Sequence, residues 1–358
     1  MLKELIQKIL RPGVSDLHLK VNEPPYVRYL GQLTAIPTNP IKEEELNSIV
    51  DSLLNNEQKL KLSKEGALDF SATLEGIGRL RINAYKQKQT FALAIRIIPN
   101  DLKNFEELHL PKDTLEKLCR SSRGLILISG VTGAGKTTTL NTMINYMNEN
   151  FSYNIITIED PMEYTHIRKK SSISQIEIGK DSESFINAMK YMVRQDPDVI
   201  ALGEIRTIDE YKAAIEGAAS GHLVLATIHS SDSLDAIDRI VNAFNPQEQP
   251  YMRVQLTNVI KAVISLRLVQ EKYGKGVYPA TEVLFGTLQI KKLLVTNSST
   301  EVKFMVEKGN AYGMHTFDQD LQTMAEQGLI ATNEAINHAS NPNDLRLKLQ
   351  SISSEPDK

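Results

Sequence analysis

The sequence predicts an α/β protein in two parts, an N-terminal α+β module followed by a larger region in which strands alternate with helices. Three observations predict it. First, short stretches that alternate apolar and polar residues crowd positions 14–98 (SDLHLKV, YVRYLGQL, GRLRINAYKQ, TFALAIRII), the period of half-buried strands. Second, wholly apolar runs follow: LILIS at 125–129, NIITIED at 154–160, DVIALGE at 198–204 and LVLATIH at 223–229. Helical patterns such as Ser182–Arg194 and Ile208–Ala219 separate them. Such alternation requires crossover connections and implies a mostly parallel sheet covered on both faces. Third, a glycine-rich segment, GVTGAGKT at 130–137, joins LILIS to a helical stretch.

In chain order, MLKELIQKILRPG places Leu2, Leu5, Ile6, Ile9 and Leu10 at helical spacing, and an amphipathic first helix packed on its own domain is expected. Lys3, Glu4 and Lys8 interrupt the apolar core that a signal peptide needs. Ile41 to Leu62 reads as one surface helix. The stretch 99–113, bounded by Pro99 and Pro111, reads as a linker between a domain at 1–98 and one at 114–350. Residues 246–350 read as largely helical, and 351–358 as a disordered tail.

Bulk properties narrow the class. The chain has 358 residues, enough for two or three domains, with 41% hydrophobic and 24% charged residues, as in soluble globular proteins. A net charge of -3 argues against a dedicated nucleic-acid binder, and no nucleic acid is expected as a partner. The single cysteine, Cys119, excludes an intrachain disulfide and a multi-cysteine zinc site and fits a reducing cytosol. No apolar run approaches the roughly 20 residues of a membrane-spanning helix. A cytoplasmic protein is expected, with peripheral membrane contact at most.

The segment 130–137 matches G-x-x-x-x-G-K-[ST] in the strand-to-helix context the motif requires. Gly130, Gly133 and Gly135 let the backbone curl, so that N–H groups from Val131, Thr132 and Ala134 through to Thr138 can face phosphate oxygens. Lys136 would neutralise the β- and γ-phosphates of ATP, and the Thr137 hydroxyl would ligate Mg²⁺. Hydrolysis also needs an acid at the end of a neighbouring strand. Glu204 closes DVIALGE and is assigned as the general base or water-positioning group, directly or through Mg²⁺. Glu159 closes NIITIE on the same edge and is a second candidate, whereas Asp160 precedes Pro161 and can simply shape the turn. His222 and His229 flank LVLATI, and a strand-end histidine could sense the γ-phosphate or orient water.

Four blocks together carry a family resemblance: GVTGAGKTTTLNTMI, IITIEDPMEY, RQDPDVIALGEIR and GHLVLATIHSSDSLDAIDRI. They look like the Walker A, Asp box, Walker B and His box of the type II/IV secretion superfamily ATPases. Within these the chain resembles the PilT family of type IV pilus retraction ATPases, from about residue 14 to about residue 345. The resemblance implies a PAS-like N-terminal domain, a RecA-like ATPase domain with a helical C-terminal region, and a homohexameric ring. It implies an inner-membrane platform protein as partner and peripheral association with that membrane. Arg79, Arg81 and Arg96 match arginines that complete the family's site, where a guanidinium can bridge phosphate oxygens. Glu204 takes the catalytic role, Glu159 supports magnesium and water, and His222 and His229 become sensors.

Val131 and Thr207 stand where the family often has proline and aspartate. LQIKKLLVTNSST at 288–300 keeps the apolar spacing of the retraction-associated segment but not its charges. Two other readings stand beside retraction: a zinc-free pilus-assembly, secretion or competence motor of the same superfamily, and a RecA-like nucleic-acid translocase.

Overall fold

The computed structural model describes residues 2–353 except 12, 30, 31, 75, 99–101 and 275. The chain forms two compact units, Met1–Asp101 with Pro161–Thr165, and Leu102–Asp160 with His166–Lys358.

The first unit contains α1 (Leu2–Ile9), β1 (Val14–Lys20), β2 (Tyr26–Tyr29), β3 (Gln32–Ala35), α2 (Glu43–Leu53), α3 (Asn56–Glu65), β4 (Ala67–Leu74), β5 (Gly78–Gln87) and β6 (Thr90–Ile97). Its antiparallel sheet runs β3-β2-β1-β6-β5-β4. Burial alternates along β5, so Leu80 and Ile82 join Leu17, Leu19, Leu93 and Ile95 in an apolar cluster that also takes Leu2, Ile6 and Ile9 of α1. The expected single helix over 41–62 is two helices. Asn55 ends the first by starting the second: its side chain accepts from Gln58 N at 2.8 Å, and Gln58 Oε1 accepts from Asn55 N at 3.1 Å. This reciprocal cap fixes a break that apolar spacing does not reveal.

The second unit begins with α4 (Lys112–Cys119), β7 (Gly124–Gly130), α5 (Lys136–Asn150), β8 (Asn154–Glu159), β9 (Ser172–Glu177), α6 (Phe185–Met192), β10 (Val199–Leu202), α7 (Ile208–Ala219) and β11 (Leu223–Ile228). It continues through α8 (Ser233–Asn242), α9 (Gln249–Val259), β12 (Ile260–Gln270), β13 (Val277–Phe285), α10 (Leu288–Val295), α11 (Ser299–Glu307), α12 (Phe317–Glu326), α13 (Thr332–His338) and α14 (Pro342–Ser353). The sheet order is β13-β12-β7-β11-β10-β8-β9. Every pairing is parallel except β12 with β13. β7, β10 and β11 are buried along their whole length, as strands covered on both faces must be.

Two boundaries differ from expectation. Residues 102–113 are not a linker, because Phe105 and Leu110 are buried in the core of the second unit; residues 99–101 of that stretch lie outside the described residues. Residues 246–350 are largely helical, as expected, but β12 and β13 also fall there. IKAVISL is a near-continuous apolar run, and periodicity alone cannot tell a buried strand from a buried helix. Of the expected tail, 351–353 complete α14 and 354–358 lie outside the described residues. Among the described residues no helix is long and apolar enough to cross a membrane.

Candidate nucleotide site

The carboxyl ends of parallel strands are where an open α/β sheet binds ligands, and here they carry the predicted residues. β7 ends at Gly130 with φ +153, and a Cβ there would meet the Ala134 Cβ and the Leu266 carbonyl oxygen, each at 2.8 Å. Only glycine fits. The loop closes on itself through Ala134 N donating to Val131 O at 3.1 Å. Gly135 caps α5 in the left-handed region, and no side chain covers that helix end. The first-turn N–H groups therefore point into the loop, the arrangement that binds phosphate. Val131, Thr132 and Gly133 are exposed, Gly135, Thr137 and Thr138 half-buried, and Ala134 and Lys136 buried. The observed cradle thus fits the group that the sequence implies.

Lys136 starts a line of polar groups. Its ammonium donates to Gly130 O at 2.9 Å and Val131 O at 3.1 Å, and lies 3.3 Å from His229 Nδ1. A lysine ammonium only donates, so His229 Nδ1 is the bare nitrogen and the ring proton sits on Nε2. Nε2 lies 2.7 Å from Glu204 Oε1, off the line of a well-aligned hydrogen bond. The other carboxylate oxygen, Oε2, accepts from Arg206 Nη2 at 2.5 Å.

The charges follow from this geometry. Burial works against the charge on Glu204, but the Arg206 hydrogen bond, helped by His229 and Lys136, holds its carboxyl below the ordinary glutamate range. Burial first, and then the Lys136 ammonium, push the His229 imidazole down against the pull of Glu204. At neutral pH the row is therefore ammonium, neutral imidazole, carboxylate and guanidinium. It borders a cleft of about 340 Å³ lined by Thr132, Glu204, Ile205, Arg206, His229 and Arg239.

Glu204 owes its position to Gly203. A Cβ at 203 would lie 3.2 Å from the Glu159 Cα and 3.3 Å from the Ile158 carbonyl oxygen, so the bare backbone lets β10 end hard against β8. Gly203 O accepts from Thr227 Oγ1 at 2.5 Å. Glu159 itself is buried, and its Oε1 accepts from Thr157 Oγ1 at 2.8 Å and Gln175 Nε2 at 3.2 Å. It stands at the same sheet edge as Glu204 but does not line the cleft.

The two histidines part company. His222 stands before β11 and His229 after it, seven residues of extended chain apart, about 23 Å. His222 Nδ1 lies 2.9 Å from Ser220 Oγ and 3.1 Å from Gly217 O, at the end of α7. The structure therefore places His222 at the sheet edge opposite the loop, away from the sensor position expected for it within this unit. The three arginines belong to the first unit. Arg79 donates to Met162 O at 2.5 Å and Ser71 Oγ at 2.7 Å. Arg81 lies 3.9 Å from Glu163 Oε1, and Arg96 pairs with Asp16 at 3.0 Å. Sequence reasoning missed Arg206 and Arg239. Arg206 stood in view two residues after Glu204, whereas nothing in the spacing marks Arg239, which α8 delivers.

The family model described as "Type II/IV secretion system protein" matches residues 1–341. The chain is 34% identical over 355 residues to the "Type IV pilus ATPase PilU" of Pseudomonas aeruginosa, covering 99% of this chain and 92% of that protein. It is 37% identical over 317 residues to a "Twitching motility protein" of Neisseria gonorrhoeae, covering 88% of this chain and 84% of that one. The crystal structure titled "Pilus Retraction Motor PilT and Bound ADP" superposes with a TM-score of 0.89 at 36% identity, covering 96% of this chain and 98% of the other. On these matches and this site, the chain belongs to the type II/IV secretion system protein family, and within it to the PilT family of type IV pilus retraction ATPases.

Proposed function

We propose that the chain is the subunit of a homohexameric motor that hydrolyses ATP to retract type IV pili and so drives twitching motility. One observation carries the reading: the row Lys136, His229, Glu204 and Arg206 holds a carboxylate, Glu204, near the phosphate-binding loop, where a phosphoryl-transfer site needs its base. Lys136 exchanges the Gly130 and Val131 carbonyls for β- and γ-phosphate oxygens. Glu204, ionised at neutral pH, orients the attacking water and takes its proton as the new oxygen–phosphorus bond forms and the bond to ADP breaks. His229 stands between the two and reports the lysine's position to the carboxylate. The oxygen donors Thr137, Glu204 and Glu159 suit Mg²⁺, which prefers hydroxyl and carboxylate ligands. Mg²⁺, when bound, offsets the charge that develops on the phosphates. Arg79, Arg81 and Arg96 enter the proposal as phosphate-binding groups, and His222 as a residue with no direct part in the chemistry.

The PAS-like and RecA-like descriptions of the two units, a cytoplasmic location at the inner membrane and a platform protein as partner belong to the same proposal. Light scattering in ATP and Mg²⁺ tests the ring: a mass six times 40.1 kDa supports it, and a persistent monomer sinks it. Deletion in the native host tests the direction of force. Excess pili that do not retract support retraction, whereas bald cells mean an assembly motor.

A further inference from the structure

We propose that His166 is a positioning residue of the nucleotide site: its ring and its backbone nitrogen together join Glu159 to the first turn of α5. The path is continuous. Glu159 Oε1 accepts from Gln175 Nε2 at 3.2 Å, and Gln175 Oε1 accepts from His166 N at 2.8 Å. His166 Nε2 lies 2.8 Å from Asn141 Oδ1, and Asn141 Nδ2 donates to the Thr137 carbonyl at 2.9 Å. Asn141 is fully buried. All five residues belong to the second unit, and His166 is the first residue of that unit after the segment 161–165.

The direction of each bond can be deduced. Asn141 spends an amide proton on Thr137 O, so Oδ1 faces the histidine and Nε2 carries the proton. Burial keeps the ring neutral, pushing its pKa down to about 4. Nδ1 is then a bare acceptor, buried and without a hydrogen-bond partner among the described residues. Packing alone does not account for such a residue, because an imidazole leaves an unmet polar atom where leucine would leave none. What the ring supplies is a stiff N–H at fixed reach from a backbone nitrogen that is itself pinned to Gln175.

The consequence concerns magnesium, and so rests on the reading under Proposed function. Thr137 and Glu159, two of its oxygen donors there, sit on α5 and β8, which share no backbone pairing. The path through His166 sets their separation, as outer groups do for metal ligands generally. Losing it leaves the cradle intact and loosens the metal site.

The test is Mg²⁺ titration of mant-ATP binding to the full chain, read by fluorescence, with phosphate release as a second readout. His166→Leu should raise the half-saturating Mg²⁺ concentration about tenfold, the lower end for outer-shell changes, with metal-free nucleotide affinity unchanged. Gln175→Leu, which cuts the path at its other end, should do the same. His166→Gln, whose amide reaches the Nε2 position, should restore the wild-type value. A His166→Leu value within twofold of wild type, or no rescue by glutamine, overturns the proposal. Wild-type binding that ignores Mg²⁺ overturns the magnesium reading itself, and this proposal with it.

Discussion

The two edges of the seven-stranded sheet use the same kinds of residue for different ends. At one edge β7 ends on Gly130, β10 and β11 lead into Glu204 and His229, and the polar groups face one another: Lys136 to His229 at 3.3 Å, His229 to Glu204 at 2.7 Å, Glu204 to Arg206 at 2.5 Å. At the other edge Asn154 and Asp198 face backbone, and His222 faces backbone and the neutral Ser220 hydroxyl. Asn154 Nδ2 donates to the carbonyls of Gln195 and Asp196, Asp198 Oδ2 accepts from Asn154 N, and His222 Nδ1 lies beside Gly217 O. Side chains that satisfy backbone groups complete a fold. Charged side chains that face one another, with Lys136 held otherwise only by the Gly130 and Val131 carbonyls of the loop, carry charge that a ligand can redirect. The contrast assigns chemistry to one edge and stability to the other.

The largest effect expected of this contrast is at Lys136. Lys136→Ala should lower ATP turnover by about 10²–10³-fold, the usual consequence of deleting a donor that stabilises transition-state charge. The circular dichroism spectrum should be unchanged, because the lysine's partners are loop carbonyls. Next comes Glu204→Gln, expected to lower single-turnover hydrolysis by about 10²-fold while mant-ATP still binds. Hydrolysis within threefold of wild type in that variant would remove Glu204 from the role of base.

The histidines then set the two edges directly against each other. His229→Ala should slow turnover by about tenfold, the worth of one hydrogen bond to a charged group. His222→Ala should leave turnover unchanged and cost about 1 kcal/mol in urea denaturation, the worth of an ordinary hydrogen bond. If His222→Ala slowed hydrolysis as much as His229→Ala, the division between edges would fail.

Much of this site was legible in the sequence, and the division of labour was not. Gly130 to Thr137 declared itself because its chemistry is local: loop, lysine and helix start are contiguous. Glu204 and Glu159 were legible because strand-end acids in a parallel sheet must share an edge. His222 and His229 were indistinguishable, since both flank one apolar run and only strand direction separates them. Arg239, Asn141, Gln175 and His166 were invisible because their meaning is a hydrogen-bond partner 9 to 25 residues away or a cleft built by another element. β12 was misread for a related reason: wedged between β7 and β13, it is apolar on both faces and has lost the alternation that marks a strand. The paired helices at 43–65 show the converse, a break set by a single asparagine cap.

Acid titration provides the finest probe of the active edge. An unfolded histidine titrates near 6.5, and burial holds His166 at about 4 in the fold. As pH falls below 6.5 the unfolded chain takes up a proton that the folded chain refuses, so stability is whole above that value and is lost progressively down to about pH 4. The loss is at most about 3 kcal/mol for this shift. His229, lowered by burial and by Lys136, adds a loss of the same sign. Glu204, held below its ordinary range, adds another at lower pH, as its carboxylate becomes protonated. His166→Gln isolates the first contribution, because glutamine keeps the Asn141 bond and has nothing to titrate. Urea midpoints measured at pH 7 and pH 4.5 should fall further in the wild type than in His166→Gln. Equal falls would mean that the buried imidazole is already protonated, or that water reaches Nδ1, and either would dissolve the neutral ring on which the path from Glu159 to Thr137 depends.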